Sequence, residues 1–161
     1  MTRFGYLGPE GTFCEMALRQ WAASHEGDHH PFGSVGGALR ALRDGQIDAA
    51  MVPIENSVEG GVSATLDALS VGEQLHIIGE VLVPITFVLA ARPGMPLAQV
   101  RAVGTHSHAW AQVRGWMEAN LPDAAYLPTL SPAASAQTLA TESHPSFDAA
   151  VCAPGAAARF G

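Results

Sequence analysis

The sequence contains no lysine, and charged residues of any kind are few. All eight basic residues among its 161 are arginines, and charged residues make up 14% of the chain. The formal net charge is −7 at pH 7, whereas nucleic-acid-binding domains usually carry clustered Lys and Arg. The composition therefore argues against nucleic acid as a partner.

Cysteine is equally scarce, with only Cys14 and Cys152. A small disulfide-stabilised scaffold would be richer in cysteine, so we expect both residues to be reduced thiols. Neither belongs to a CxxC pair, and His106 and His108 form only an HxH pattern, which is a weak indicator of a metal site. The sequence therefore predicts no bound metal.

Long apolar runs are absent as well. The longest, VLVPITFVLAA at residues 81–91, is about half the length of a membrane-spanning helix. The first residues, MTRFGYLG, reach glycine too soon for the apolar core of a secretory signal. We therefore expect a cytoplasmic protein with no membrane partner.

Apolar residues nevertheless make up 48% of the chain, enough for a core. Short apolar runs alternate with amphipathic segments, a pattern typical of α/β folds with mainly parallel sheets. A polar turn is expected at residues 25–31. The predicted strands are 3–7, 47–53, 75–83, 85–91, 100–105, 125–127 and 149–152, with a short strand or connector at 31–34. The predicted helices are 13–24, 34–45, 63–69, 109–121, 132–141 and 154–160.

Local signals support several of these boundaries. Thr12 and Glu15 have the spacing of a capping box at a helix start. Ser34 can cap the second helix, and Gly45 stands where a helix end favours a residue with positive φ. The paired strands near 75–91 break the alternation, and we interpret them as a crossover between two lobes, residues 1–80 and 81–161. No sequence repeat is evident.

Polar clusters follow four of the predicted strands. They are GPEGT at 8–12, ENS at 55–57, THSH at 105–108 and LSPA at 130–133. Ligands in open α/β sheets bind beyond the carboxyl ends of strands, and helix N-termini bind carboxylates or phosphates without basic residues. Taken singly, Thr12, Thr105 and Ser131 are explained as ordinary helix caps. Together the four clusters favour an anion-binding cleft between two lobes.

The segment ENSVEGG is the most polar of these strand ends. Asn56 supplies two donors and an acceptor, and Ser57 a hydroxyl. Glu55 and Glu59 could act as a paired acid and base. The alternative interpretation is a solvated loop built around an Asx turn.

Several motifs together resemble the prephenate dehydratase family. YLGPEGTFCEMA at 6–17 and VPIENSVEGGVSATLDAL at 52–69 are the most specific, and THSHAWAQV at 105–113 and AAVCAPGAAARFG at 149–161 are looser. The resemblance implies two α/β lobes arranged like a type II periplasmic binding protein, with prephenate held in the cleft between them. It also implies a decarboxylating dehydration to phenylpyruvate that needs neither a metal nor a redox cofactor.

The resemblance also assigns residues. It implies catalytic roles for Asn56 and Gln112, and substrate contacts for Thr12, Glu55, Asn56, Ser57, Thr105, His106 and Ser131. Three features depart from the family pattern. Ser-His-Pro-Gln becomes Thr-His-Ser-His at 105–108, Ser-Thr-Ala becomes Ser-Pro-Ala at 131–133, and the sequence contains neither the Thr-Arg-Phe motif with the family's catalytic threonine nor the regulatory ACT domain.

Those departures leave three explanations open: a fragment of a larger dehydratase, a truncated gene, or a non-catalytic module that binds small aromatic carboxylates. We favour the first, in which this exact chain is nearly inactive. Because the family's first lobe takes its final strand from the missing part, the resemblance predicts an incomplete first sheet with an open edge. We also expect a homo-oligomer, either a dimer or a tetramer.

Overall fold

The chain divides into two compact units. The computed structural model describes residues 1–21, 26–58 and 60–161, and their contacts separate Met1–Pro84 from Ile85–Gly161. The sequence-based boundary lay between residues 80 and 81. Among the described residues, no helix is both long enough and apolar enough to cross a membrane.

The first unit is built on a three-stranded parallel sheet with strand order β2-β1-β3. Its core contains Phe4, Tyr6 and Leu18, because alternate residues of the central strand and one face of the following helix are apolar. The elements in chain order are β1 (Thr2–Leu7), α1 (Phe13–Trp21), β2 (Gly27–Phe32), α2 (Val35–Arg43), β3 (Ala49–Met51), β4 (Glu55–Asn56), β5 (Gly60–Gly61) and α3 (Ser63–Ser70).

The second unit is built on a four-stranded sheet with strand order β6-β9-β7-β8. Strand β6 runs antiparallel to β9, and the other pairs are parallel. All four residues of β9 are buried, which explains why that strand is uniformly small and apolar. The elements are β6 (Val88–Ala91), β7 (Ala102–Thr105), α4 (Ser107–Asn120), β8 (Ala125–Pro128), α5 (Pro132–Thr141), β9 (Ala149–Cys152) and α6 (Pro154–Phe160), with a 3-10 turn at Leu97–Gln99.

The two units repeat one topology, although no repeat is evident in the sequence itself. Each runs β-α-β-α-β with the first of these strands in the middle of the parallel set. Asp48 and Asp148 both precede the third strand and start an Asp-Ala-Ala triplet. A carboxylate oxygen of Asp48 accepts from the Arg3 N–H at 2.7 Å, and one of Asp148 accepts from the Arg101 N–H at 2.8 Å. The repeat lies in backbone topology, which explains why side-chain patterns conceal it.

Several sequence-based boundaries are confirmed. The predictions for 132–141, 149–152 and 154–160 coincide with α5, β9 and α6. Ser34 caps α2, its hydroxyl oxygen accepting from the Gly37 N–H at 3.1 Å, and Gly45 has φ +66°. The helix predicted at 13–24 is described to Trp21, and its last three residues lie outside the described part of the chain.

One prediction near β2 was wrong and another had the wrong bounds. Residues 25–31 were expected as a polar turn and 31–34 as a short strand or connector, whereas Gly27–Phe32 forms β2. This strand lies at the sheet edge, where Asp28 and His30 face solvent and a proline needs no ladder partner for its missing N–H. Its polar composition therefore concealed a strand.

The strand predicted at 75–83 is also wrong, and the one at 85–91 shrinks to β6. Among the described residues, the segment 74–86 makes no backbone-to-backbone hydrogen bond. Its apolar side chains Ile77 and Leu82 are 72% and 89% exposed. The strand predicted at 47–53 shrinks to β3, which pairs with β1 alone within the described part of the first sheet. A segment with a strand-like sequence forms a strand only when a neighbouring strand supplies its hydrogen-bonding partners.

Candidate functional site

In each unit the polar clusters lie at the carboxyl ends of parallel strands. The loop 8–12 follows β1 and the segment 52–58 follows β3, and these two strands are adjacent and parallel. Their carboxyl ends therefore share one edge of the sheet, the usual position of ligand sites in α/β folds. This edge carries Thr12, Glu55, Asn56 and Ser57.

The loop 8–12 is held by a buried carboxylate. Glu15 is 5% exposed, and its Oε2 accepts from the Gly11 N–H at 2.5 Å. Its Oε1 accepts from the guanidinium of Arg19 at 2.6 Å, an interaction that raises the pKa of Arg19. Gly11 has φ +84°, a conformation that favours glycine. The capping-box carboxylate thus bonds one residue earlier than the motif predicts.

The Thr12 hydroxyl makes two hydrogen bonds to backbone groups. The hydroxyl donates to the Leu7 carbonyl at 2.9 Å and accepts from the Glu15 N–H at 3.3 Å. The arrangement is that of a helix cap, the simpler of the two interpretations that the sequence allowed. A substrate contact by Thr12 stays a prediction.

Strands β4 and β5 pair antiparallel as a short hairpin. Asn56 pairs with Gly60 across β4 and β5, and its Oδ1 accepts from the Val58 N–H at 3.1 Å, which makes an Asx turn. Glu55 and Ser57 are exposed, and Asn56 is half-buried. The Asx turn that the sequence left as an alternative is therefore present. Glu59, the suggested partner of Glu55 in acid–base chemistry, lies outside the described residues.

A buried threonine anchors this hairpin and was not predicted. Thr65, 1% exposed, donates its hydroxyl hydrogen to the Pro53 carbonyl at 2.6 Å. The Val62 N–H donates to the Ile54 carbonyl at 2.9 Å. Helix α3 and the residue before it thereby anchor the start of the hairpin that carries Asn56.

In the second unit, β7 ends at Thr105, and His106 follows it. Thr105 is fully buried, and its hydroxyl donates to the Val151 carbonyl at 2.8 Å. His106 caps α4, its Nδ1 accepting from the His108 N–H at 3.3 Å. An accepting Nδ1 leaves the hydrogen of a neutral imidazole on Nε2. His106 is half-buried, and the two imidazole rings meet edge to face with centroids 4.7 Å apart.

The remaining predicted residues lie on α4 and α5. Gln112 is exposed on α4, four residues after His108 and therefore on the same helix face. Ser131 caps α5, its hydroxyl oxygen accepting from the Ala134 N–H at 3.0 Å. Because β7, β8 and β9 are parallel, Thr105, His106 and Ser131 share the carboxyl edge of the second sheet.

Neither thiol is a candidate nucleophile. Burial raises the pKa of Cys14 to about 12 and that of Cys152 to about 11, so both stay protonated near neutral pH, and thiolate is the reactive form. Both cysteines are unpaired with respect to disulfides. Within the described ranges, no three His, Cys, Asp or Glu side chains group closely enough to hold a metal ion. The candidate site therefore offers amides, hydroxyls, imidazole and helix N-termini.

Comparison with known proteins agrees with the motifs. The family model described as prephenate dehydratase matches residues 4–161. A prephenate dehydratase of Amycolatopsis methanolica is 45% identical over 161 residues, covering 99% of this chain and 51% of that protein. One of Mycobacterium tuberculosis strain H37Rv is 43% identical, with coverage of 100% and 52%. The chain thus spans about half the length of these relatives.

Solved structures extend the likeness. A prephenate dehydratase of Arthrobacter aurescens, in complex with L-Phe, has a TM-score of 0.91 and 52% identity, covering 98% of this chain and 51% of its own. A protein described as a novel type of quorum-quenching acylase has a TM-score of 0.78 and 27% identity, covering 99% and 56%. A periplasmic substrate-binding protein of Coxiella burnetii, at 17% identity and a TM-score of 0.51, shares the fold. The chain therefore belongs to the prephenate dehydratase family.

Proposed function

We propose that the polypeptide containing this chain converts prephenate to phenylpyruvate. The family-model match across residues 4–161 carries the proposal, and the site chemistry supports it. In this reaction the bond to the ring carboxylate breaks and releases CO2, and the ring hydroxyl departs as water after protonation. Formation of the aromatic ring supplies the driving force.

Such a reaction mainly requires hydrogen-bond donors. Prephenate carries two carboxylates, and none of the predicted site residues is an arginine, so neutral donors hold the substrate in this proposal. The starts of α4 and α5 offer backbone N–H groups and the positive ends of helix dipoles. His106 adds a ring N–H. These groups supply the polarity that two carboxylates need without lysine.

Asn56 and Gln112 have the catalytic roles in this proposal. Their amides donate hydrogen bonds to the reacting region, where a fixed donor stabilises the transition state more than the ground state. Thr12, Glu55 and Ser57 contact the substrate from the first unit, and Thr105, His106 and Ser131 do so from the second. The predicted cleft is part of this proposal, as are a cytoplasmic location and a homo-oligomer.

Asn56→Ala tests the catalytic assignment. In the longest natural form of the polypeptide, we expect turnover of prephenate to fall on the order of 10²-fold. The free energy of unfolding should fall by only about 1 kcal/mol, the usual value of one hydrogen bond such as that to Val58. Phenylpyruvate formation, followed by its ultraviolet absorbance in alkali, measures the first quantity, and urea denaturation the second.

Asn120→Ala is the matched control. Asn120 also makes a local hydrogen bond, from Nδ2 to the Trp116 carbonyl at 2.8 Å, but at the end of α4, so turnover should be unchanged. Unchanged turnover with a lowered melting temperature for Asn56→Ala would assign Asn56 to loop structure alone. Affinity for prephenate without turnover in the longest form would favour the non-catalytic binding module.

A further inference from the structure

A closed set of hydrogen bonds joins the polar residues at the carboxyl edge of the second sheet. Thr129, just after β8, donates its N–H to the Thr105 carbonyl at 2.9 Å. Its hydroxyl lies 2.7 Å from the Ser135 hydroxyl and 3.0 Å from the Ser131 carbonyl. Thr129 therefore bonds to both polar clusters of this unit, the one after β7 and the one before α5.

The inner members of this set are shielded from water, whereas Thr129 and Ser131 are half-buried. Thr105 and Ser135 are both 0% exposed, and the Thr105 hydroxyl continues the chain of bonds to the Val151 carbonyl at 2.8 Å. The Thr105 hydroxyl thereby links the ends of β7 and β9, and the Thr129 N–H links the end of β8 to β7 through the backbone. Buried, satisfied networks of this kind hold their members rigidly, because each lost bond leaves a desolvated group without a partner.

The hydroxyl of Thr129 helps fix the backbone of Ser131. The Ser131 carbonyl accepts from the Ser135 N–H at 3.1 Å and lies near both hydroxyls, 3.0 Å from Thr129 and 3.2 Å from Ser135. Ser131 is held in an extended conformation, φ −160° and ψ 160°, in which its own hydroxyl caps α5. Without the Thr129 hydroxyl, one of these restraints on Ser131 is lost.

We infer that Thr129 is a positioning residue for substrate binding, because it sets the spacing between the Thr105–His106 segment and Ser131. The inference rests on the proposed function, in which His106 and Ser131 contact substrate. Thr129 acts through these neighbours and makes no contact of its own with substrate. The sequence carries only a faint signal for it, namely hydroxyl residues at 129, 131 and 135 around a helix start.

Thr129→Val tests the inference, since it removes the hydroxyl but keeps the side-chain shape and the N–H to Thr105. With prephenate as substrate and the longest natural polypeptide as enzyme, we expect KM to rise about tenfold while kcat changes by less than about threefold. Thr129→Ser, which restores the hydroxyl, should return KM to within about twofold of the unchanged enzyme. Ser135→Ala, which removes the hydroxyl partner of Thr129, should raise KM in the same direction and serves if Thr129→Val does not fold.

Thr141→Val is the control, because its exposed hydroxyl bonds to the Gln137 carbonyl near the far end of α5. We expect its KM and kcat to be unchanged. A normal KM for Thr129→Val and Ser135→Ala, with only a lowered melting temperature, would overturn the inference. An unchanged enzyme that does not turn over prephenate at all would instead refute the proposed function.

Discussion

The tight contact between Gly104 and Phe147 makes a sharp prediction about stability. Gly104 lies in β7, the strand between β8 and β9. A methyl group added there would lie 2.7 Å from Cδ1 and Cε1 of the Phe147 ring, whereas carbon atoms normally approach to about 3.5–4.0 Å. Phe147 is buried against Leu139 and Ala150, so the ring cannot retreat without disturbing the core.

Gly104→Ala should therefore destabilise the protein by about 2–3 kcal/mol, the upper part of the range for an overpacked core. The melting temperature should fall by roughly 4–12 °C, since a chain of this size loses about 2–4 °C per kcal/mol. Urea denaturation followed by circular dichroism gives the free energy. The matched control is Gly115→Ala in α4, where an added methyl meets no atom within 4 Å and should stabilise the helix by about 0.5–1 kcal/mol.

A double-mutant cycle isolates the clash from other effects. Phe147→Leu alone should cost about 1–2 kcal/mol through lost apolar burial. If the methyl of Gly104→Ala collides with the ring, the double variant should lose at least about 1 kcal/mol less unfolding free energy than the two single variants together. Strict additivity, or a cost of Gly104→Ala below about 0.5 kcal/mol, would show that the ring is not the obstacle.

Further predictions concern titration and reactivity. The side-chain and backbone hydrogen bonds from Arg3 lower the pKa of Asp48 to about 2. The stabilisation from Asp48 should therefore be present above its ordinary pKa near 4 and lost as pH falls through about 2. In Arg3→Ala, the pKa of Asp48 measured by NMR titration of its carboxyl carbon should return toward the ordinary value. Because burial raises the pKa of Cys14 to about 12 and of Cys152 to about 11, both thiols should react slowly with a disulfide reagent at pH 8 and rapidly after unfolding in urea. Fast reaction in the folded protein would show that a thiolate is exposed.

The elements predicted best are those with local signals at their ends. Helix α5 begins after a serine cap with proline in its first turn, and α6 also begins with proline. Strand β9 is a short, uniformly apolar run between such signals. In these places the residues that set a boundary lie within a few positions of it, so the sequence alone contains the information.

The elements predicted worst depend on distant partners. Strand β2 has a polar sequence but forms because β1 pairs with it along six residues. Residues 75–83 have a strand-like sequence but make no ladder among the described residues. Hydrogen-bonding partners of this kind are set by topology, which composition and periodicity do not reveal.

The candidate site was predicted in position more than in detail. The rule that ligands bind beyond strand ends located the clusters at 8–12, 55–57 and 105–108. It did not show that the hydroxyls of Thr12 and Thr105 donate to backbone carbonyls, because the direction of a side chain depends on packing that the sequence pattern does not specify. The same reason hid Thr65, which bonds to Pro53 next to the predicted residues, and Thr129, which bonds to Thr105 and Ser131.

The two edge strands of the first sheet, β2 and β3, differ in composition, and the second sheet helps to explain why. The β2 edge carries Asp28, His30 and Pro31, residues that discourage strand pairing. The β3 edge carries only Ala49, Ala50 and Met51, with nothing to prevent pairing. In the repeated topology of the second unit, the equivalent strand β9 is covered by the antiparallel β6. An incomplete first sheet stays a prediction from the resemblance, and by analogy with β6 and β9 we expect any further strand of this sheet to pair with β3.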